Sequence, residues 1–162
     1  MVAAGSAGLA QAASHTPTQA QVSKAIKNAE SSKSLWATVN FCNTKRHRYK
    51  IGVRGQMPAL GFPAWLSMRV QLNRYQTSKR KFVPLADATA LVRLGRSSRG
   101  LQQGGEQWTY APHAGLFNAS IQFIWRRSGK LLGQTSRRTT AGHLTADFSD
   151  PPHFSAKQCR IS

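Results

Sequence analysis

The stretch AWLSMRVQLNRY, residues 64–75, puts Leu66, Met68, Val70 and Leu72 on one side of an extended chain and Ser67, Arg69, Gln71 and Asn73 on the other. Successive side chains of a strand point to opposite faces, so this alternation predicts a strand with one apolar and one wet face. The same period recurs upstream in LWATVNFC (35–42), which sets Leu35, Ala37, Val39 and Phe41 on one face. It recurs downstream in GLFNASIQFIWR (115–126), with Phe117, Ala119, Ile121, Phe123 and Trp125 aligned. Further candidates are YKIGVRGQ (49–56), KRKFVPL (79–85), ATALVRLG (88–95), EQWTYAP (106–112), KLLGQTSR (130–137) and FSAKQCRI (154–161). Turn-forming residues such as Pro58, Gly61-Phe62-Pro63, Ser128-Gly129 and Asp150-Pro151-Pro152 separate them. About eight short strands with no helical period between them predict an all-β fold, an antiparallel sandwich or barrel. By composition GRSSRGLQQGG (95–105) reads as a flexible loop.

Only the N-terminal part departs from this period. In TPTQAQVSKAIKNAESSK (16–33), Val22, Ala25, Ile26 and Ala29 stand at helical spacing, with Thr16 as the expected cap and Pro17 in the first turn. Before it, MVAAGSAGLAQAASH ends its apolar run in Ala10-Gln11-Ala12, a small-x-small pattern expected of a signal-peptide remnant. The chain therefore divides into a leader (1–12), a linker with a short helix (13–34) and a β-sandwich domain (35–162). No stretch has the roughly 18 consecutive apolar residues that span a bilayer.

Lys and Arg number 23 against five acids, Glu30, Asp87, Glu106, Asp147 and Asp150, for a formal charge of +18. So few acids leave most of the positive field to solvent or a polyanion. The two cysteines, Cys42 and Cys159, form no Cys-x-x-Cys pair, which removes the basis for a zinc-finger or thioredoxin-like reading. Together with the leader they predict a disulfide across 117 positions; two thiols in a cytoplasmic protein are the alternative.

Catalytic constellations are lacking. Asp147 and Asp150 lie in a turn-rich segment, and His143, Asp147, Asp150 and His153 have zinc-type side chains at no recognised ligand spacing. His47, among Lys45, Arg46 and Arg48, reads as a surface residue. There is no Gly-x-Ser-x-Gly elbow and no Walker loop, and Asn118-Ala119-Ser120 is a sequon by pattern alone. The chain is expected to be non-enzymatic and to need no cofactor or metal. An unrecognised hydrolase would have His143 and Asp147 as its candidates.

The candidate polyanion-binding residues are Lys45, Arg46 and Arg48; Lys79, Arg80 and Lys81; and Arg126, Arg127, Lys130 and Arg137. The first two sets fall in turns. A two-residue turn at Ser128-Gly129 makes the third set a hairpin. With paired positions summing to 257, Trp125 faces Leu132, Arg126 and Arg137 point outward, and Arg138 takes the other face. Phe82 and Trp125 read as core.

The order of leader, short helix, VNFCN strand, β-body ending in RRTTAGH and last strand with a Cys resembles small, uncharacterised secreted proteins of high-GC Gram-positive bacteria. The resemblance spans about residues 35–162 and implies an immunoglobulin-like body, but its motifs transfer no binding residue. Antibody domains bond two central strands, whereas here the cysteines lie in the first and last predicted strands. The expected function is a secreted binding or structural module whose basic surface meets an anionic cell-envelope polymer or an acidic protein. A cytoplasmic nucleic-acid-binding protein is the alternative.

Overall fold

The protein is described from a computed structural model covering residues 16–110 and 114–162. The expected leader lies outside the described residues. Among the described residues one α-helix, α1 (Gln19–Glu30), precedes eight strands: β1 (Trp36–Cys42), β2 (Lys50–Pro58), β3 (Ala64–Gln76), β4 (Lys81–Ser97), β5 (Leu101–Thr109), β6 (Gly115–Arg127), β7 (Lys130–Arg138) and β8 (Cys159–Ile161). They build an antiparallel sandwich. The smaller sheet has the order β1-β2-β5; the larger has β4-β3-β6-β7, with β8 also on β6. The chain crosses between sheets after β2, β4 and β5. This is an immunoglobulin-like connectivity with an extra strand beside the third.

The core lies between the sheets, where the aligned faces read from the sequence meet. Leu66, Met68, Val70 and Leu72 of β3 and Phe117, Ala119, Ile121, Phe123 and Trp125 of β6 are all buried against Val39, Ile51 and Val53. Fully burying such a side chain is worth about 1.5–3 kcal/mol. The Trp125 indole N–H donates to Pro58 O at 3.0 Å, so its one polar atom is satisfied.

The helix starts two residues later than expected. Thr18, not Thr16, is the cap: its hydroxyl accepts from Gln21 N–H while the Gln21 side chain accepts from Thr18 N–H, a reciprocal capping box. Val22, Ile26 and Ala29 are buried, and Ile26 rests on Gly133, where a Cβ would sit 2.5 Å from Ile26 Cγ2. The helix is thus part of the domain and covers the inner face of β7.

Three single-residue bulges correct the expected alternation. Val39 pairs with Val53 but Phe41 with Gly52, so Asn40 is an extra residue and Phe41 leaves the core face. The Phe41 ring lies over Gly52, where an added Cβ would come within 2.2 Å of it. On β4, Leu66 pairs with Gly95 but Ser67 with Arg93, which bulges Leu94 and brings Arg93 and Arg96 to the same face. On the hairpin, Arg126 pairs with Leu131 but Trp125 with Gly133, which bulges Leu132. Beyond it, the expected register slips by one: Arg137 turns inward and donates to Glu30 O at the end of α1, and Arg138 faces out. The turn itself forms as expected, with positive φ at Ser128 and Gly129.

Other expectations also change. The 95–105 stretch is no flexible loop: Gly95–Ser97 end β4 and Leu101–Gly105 begin β5. KRKFVPL and ATALVRLG are parts of one long strand, and Phe82 is half-exposed, edge-on to Tyr75. Nor does β1 have a wet face, because residues 140–157 form a strap across it. Thr140 N–H donates to Ala37 O, Val39 and Ala156 exchange backbone hydrogen bonds, and Asp150 N–H donates to Asn40 O, all at 2.8–3.0 Å. This occupies an edge that would otherwise be open to another chain.

Thr139 launches the strap. Its buried hydroxyl accepts from Ala119 N–H at 3.2 Å and donates to Lys157 O at 2.7 Å, joining the end of β7 to the approach to β8. Cys159 is bonded to Cys42, so the disulfide links the sheets through the first and last strands as expected.

Reducing the disulfide is expected to lower the unfolding free energy by about 4–5 kcal/mol in the chain-entropy account, measured by denaturant unfolding with and without reductant. Gly133→Val is expected to cost about 1–3 kcal/mol by displacing Ile26, read as a lower denaturation midpoint.

Candidate functional site

The outer face of the larger sheet is built in rows across the strands. Arg96, Trp65 and Arg126 are register neighbours on β4, β3 and β6, and Leu131 on β7 continues the row. The next row is Arg93, Ser67, Ile124 and Gln134, and the third is Leu91, Arg69, Gln122 and Ser136. Between the first and third rows lies a cleft of about 340 Å³, walled by Trp65, Arg69, Leu91, Arg93, Ile124 and Arg126. Trp65 is 56% exposed and Leu91 47%. An exposed tryptophan with four arginines across the three rows is a marked departure from a face that is merely solvated.

Local sequence explains each position. β3 alternates without interruption from Ala64 to Leu72, so the residues opposite its core set, Trp65, Ser67 and Arg69, must face out. On β4 the Leu94 bulge brings Arg96 beside Trp65 while Arg93 stays beside Ser67. None of the five acids takes a place in these three rows: Glu30 ends α1, Asp87 lies further along β4, Glu106 is on β5, and Asp147 and Asp150 are in the strap. The field over the cleft is therefore set by arginine alone.

Of the residues singled out from the sequence, only Arg126 lines this cleft. Arg127 stacks over Phe62 at 5.7 Å, and Lys130 pairs with it across the hairpin turn. Arg137 is held by α1. Lys45, Arg46 and Arg48 in the β1–β2 loop and Lys79, Arg80 and Lys81 in the β3–β4 turn lie at the opposite end of the sandwich. That end also holds the disulfide, since Phe117 pairs with both Arg74 and Cys159. Eleven residues of β3 separate Trp65 from Gln76, about 35 Å at strand rise. Trp65, Arg69, Arg93 and Arg96 were missed. Their one signal was an aromatic on the wet face of AWLSMR; the bulge that aligns the two β4 arginines has no sequence mark.

A second concavity, of about 540 Å³, lies between the smaller sheet and the strap, lined by Phe41, His47, Arg54, Glu106, Phe148 and Asp150 among others. Its charges mostly serve to hold the strap. The Arg54 guanidinium lies 4.9 Å from the Phe148 ring centre, and Asp147 favours its charge, although burial is the larger effect and lowers its proton affinity. Thr44 donates to Asp150, which stands 3.9 Å from His47, and His47 stacks on Phe41 at 4.1 Å. His47 keeps a side chain 31% exposed at the surface, as expected, and packs one ring face on Phe41.

The remaining candidates do not converge. His143 stacks on Trp36 at 4.7 Å and shares a hydrogen bond with Thr140, while His153 Nδ1 lies 3.0 Å from Leu144 O. Among the described residues no hydrogen bond joins His143 to Asp147, and no three His, Cys, Asp or Glu side chains group as metal ligands. Asn118 is buried and accepts from Asn73 Nδ2 at 3.0 Å, which keeps the sequon from a glycosylating enzyme in the folded chain.

No protein-family model matches the chain, and no curated protein matches it significantly. Among solved structures it is similar to a Bacteroides fragilis protein provisionally named a beta-galactosidase, at 10% identity and a TM-score of 0.35. That similarity covers 65% of this chain and 16% of the other. A likeness so distant carries no argument about activity.

Burial against Trp36 pushes His143 below the usual 6.5. The unfolded chain then binds a proton more readily than the folded one, so this stabilisation is full above 6.5 and is lost as pH falls through the lowered value. His143→Phe keeps a ring on Trp36 but cannot titrate. Its melting temperature is expected to fall less than that of the native protein between about pH 7 and about pH 5, followed by circular dichroism.

Proposed function

We propose that the protein is a secreted, non-catalytic binding module that holds an anionic cell-envelope polymer, or an acidic partner protein, on the open face of its larger sheet. The observation that carries this reading is the arginine set, Arg69, Arg93, Arg96 and Arg126, around an exposed Trp65 with no carboxylate in the same rows. Guanidinium groups stay charged at any physiological pH and present forked donors that suit carboxylate, sulfate or phosphate. They are poor proton-transfer groups, which favours binding over chemistry.

An extracellular compartment is supported by the Cys42–Cys159 bond, since disulfides persist outside the reducing cytoplasm. Among the described residues no helix is long and apolar enough to cross a membrane. A charge surplus of +18 draws the protein to anionic matrices at long range, and the cleft supplies the contact.

The test is elution from an immobilised polyanion such as dextran sulfate. Native protein is expected to elute at progressively lower retention as salt approaches molar, where screening shortens to about 3 Å. The triple variant Arg93→Gln, Arg96→Gln, Arg126→Gln is expected to elute at clearly lower salt than Lys45→Gln, Arg46→Gln, Arg48→Gln, which removes equal charge at the far end. Equal shifts for the two triples would show that diffuse charge, not the cleft, does the binding.

A further inference from the structure

We infer that the cleft takes an acidic polysaccharide lying across the strands, with one sugar ring on the Trp65 indole and the anionic substituents of that ring and its neighbours on Arg126, which lines the cleft, and on Arg96, which stands just outside it as the register partner of Trp65. This rests on the reading of the face as a polyanion site and narrows its ligand class.

Three features select this chemistry from other polyanions. The first is the placing of charge around the stacking surface. Arg96 and Arg126 are the direct register partners of Trp65, one on each side, so their Cα atoms stand about 10 Å apart with the indole between them. A ligand that covers the indole must therefore carry negative charge at its own edges. A uronic acid or sulfated sugar does so, because the acid is a substituent of the ring or of the adjacent one. In a nucleotide the ring that stacks is the uncharged base, and the phosphate lies beyond the ribose.

The second feature is that, among the described residues, Trp65 is the only aromatic side chain lining the cleft; its apolar neighbours are Leu91 and Ile124. Single-stranded nucleic acids are usually held by successive aromatic platforms, one for each base. One aromatic platform with aliphatic surface beside it suits one pyranose ring, with its C–H face on the indole. A linear polyphosphate has no ring at all and would leave Trp65 exposed.

The third feature is the uncharged polar groups beside the cleft. Ser67, Gln122, Gln134 and Ser136 occupy the second and third rows. Each is both donor and acceptor, which is what the hydroxyls of a sugar need and what phosphate oxygens, as acceptors alone, cannot fully use.

The experiment titrates the full chain by calorimetry with oligogalacturonate, neutral malto-oligosaccharide of matched length, polyphosphate and oligo(dT). Oligogalacturonate is expected to bind and the neutral oligosaccharide not to. Trp65→Ala is expected to weaken oligogalacturonate about tenfold or more while polyphosphate binding stays within about twofold. Because Trp65 is already exposed, an unchanged melting temperature verifies the fold of the variant. Arg96→Gln with Arg126→Gln is expected to abolish oligogalacturonate binding, and Lys79→Gln with Lys81→Gln to leave it intact. Oligogalacturonate binding indifferent to Trp65 would overturn the inference yet leave a polyanion module standing. Tighter oligo(dT) binding that depends on Trp65 would transfer the cleft to nucleic acid, and no binding of any polyanion would remove both readings.

Discussion

A strand has only two faces, and in this protein single extra residues decide what each face carries. Asn40, Leu94 and Leu132 each interrupt a pairing by one position, so everything beyond changes sides. At Asn40 this sends Phe41 out of the core to stack with His47 and form the wall beneath the strap. At Leu94 it aligns two arginines that plain alternation would separate. At Leu132 it sends Arg137 inward to the end of α1. The core tolerates all three because its main seam, between β3 and β6, is paired without interruption from Trp65 through Arg74.

That unbroken seam accounts for the distribution of charge. With the inner faces of β3 and β6 filled by aliphatic and aromatic groups, polar and charged side chains can sit only on outer faces and in loops. The few carboxylates have gone mostly to one place: Glu106, Asp147 and Asp150 all lie around the smaller sheet, where Asp147 favours the charge of Arg54 and Asp150 accepts from Thr44 and stands beside His47, which helps fix an irregular segment. The larger sheet is left with arginine and no counter-charge in its three tryptophan-side rows.

The sequence was most legible where the period was cleanest. AWLSMRVQLNRY and GLFNASIQFIWR gave the seam, Ser128-Gly129 gave the turn, and the position of the two cysteines gave the bond between first and last strands. What could not be read has a common physical cause. A bulge depends on which partner residue a backbone meets, a relation between strands that no single strand records. Hence Phe41 was placed inside, Arg137 outside, and Arg93 and Arg96 were not recognised as neighbours. The strap escaped for a related reason: Thr140, Asp150 and Ala156 are bonded to β1 by backbone groups, which any residue type supplies. The basic runs drew attention because they are dense in one dimension, while the tryptophan-centred cleft is assembled from three strands and contains no run.

The bond between Cys42 and Cys159 also makes the molecule a closed covalent circuit. Strands β2 to β7 and the strap lie inside the ring, while among the described elements α1 and the body of β1 lie on its N-terminal arm. A protease that severs one peptide bond in any exposed turn of this ring opens the loop without dividing the chain. The severed ends stay tethered, at a high local concentration set by their own folded surroundings, and the cleft keeps its three strands. The covalent ring thus makes a first cut survivable.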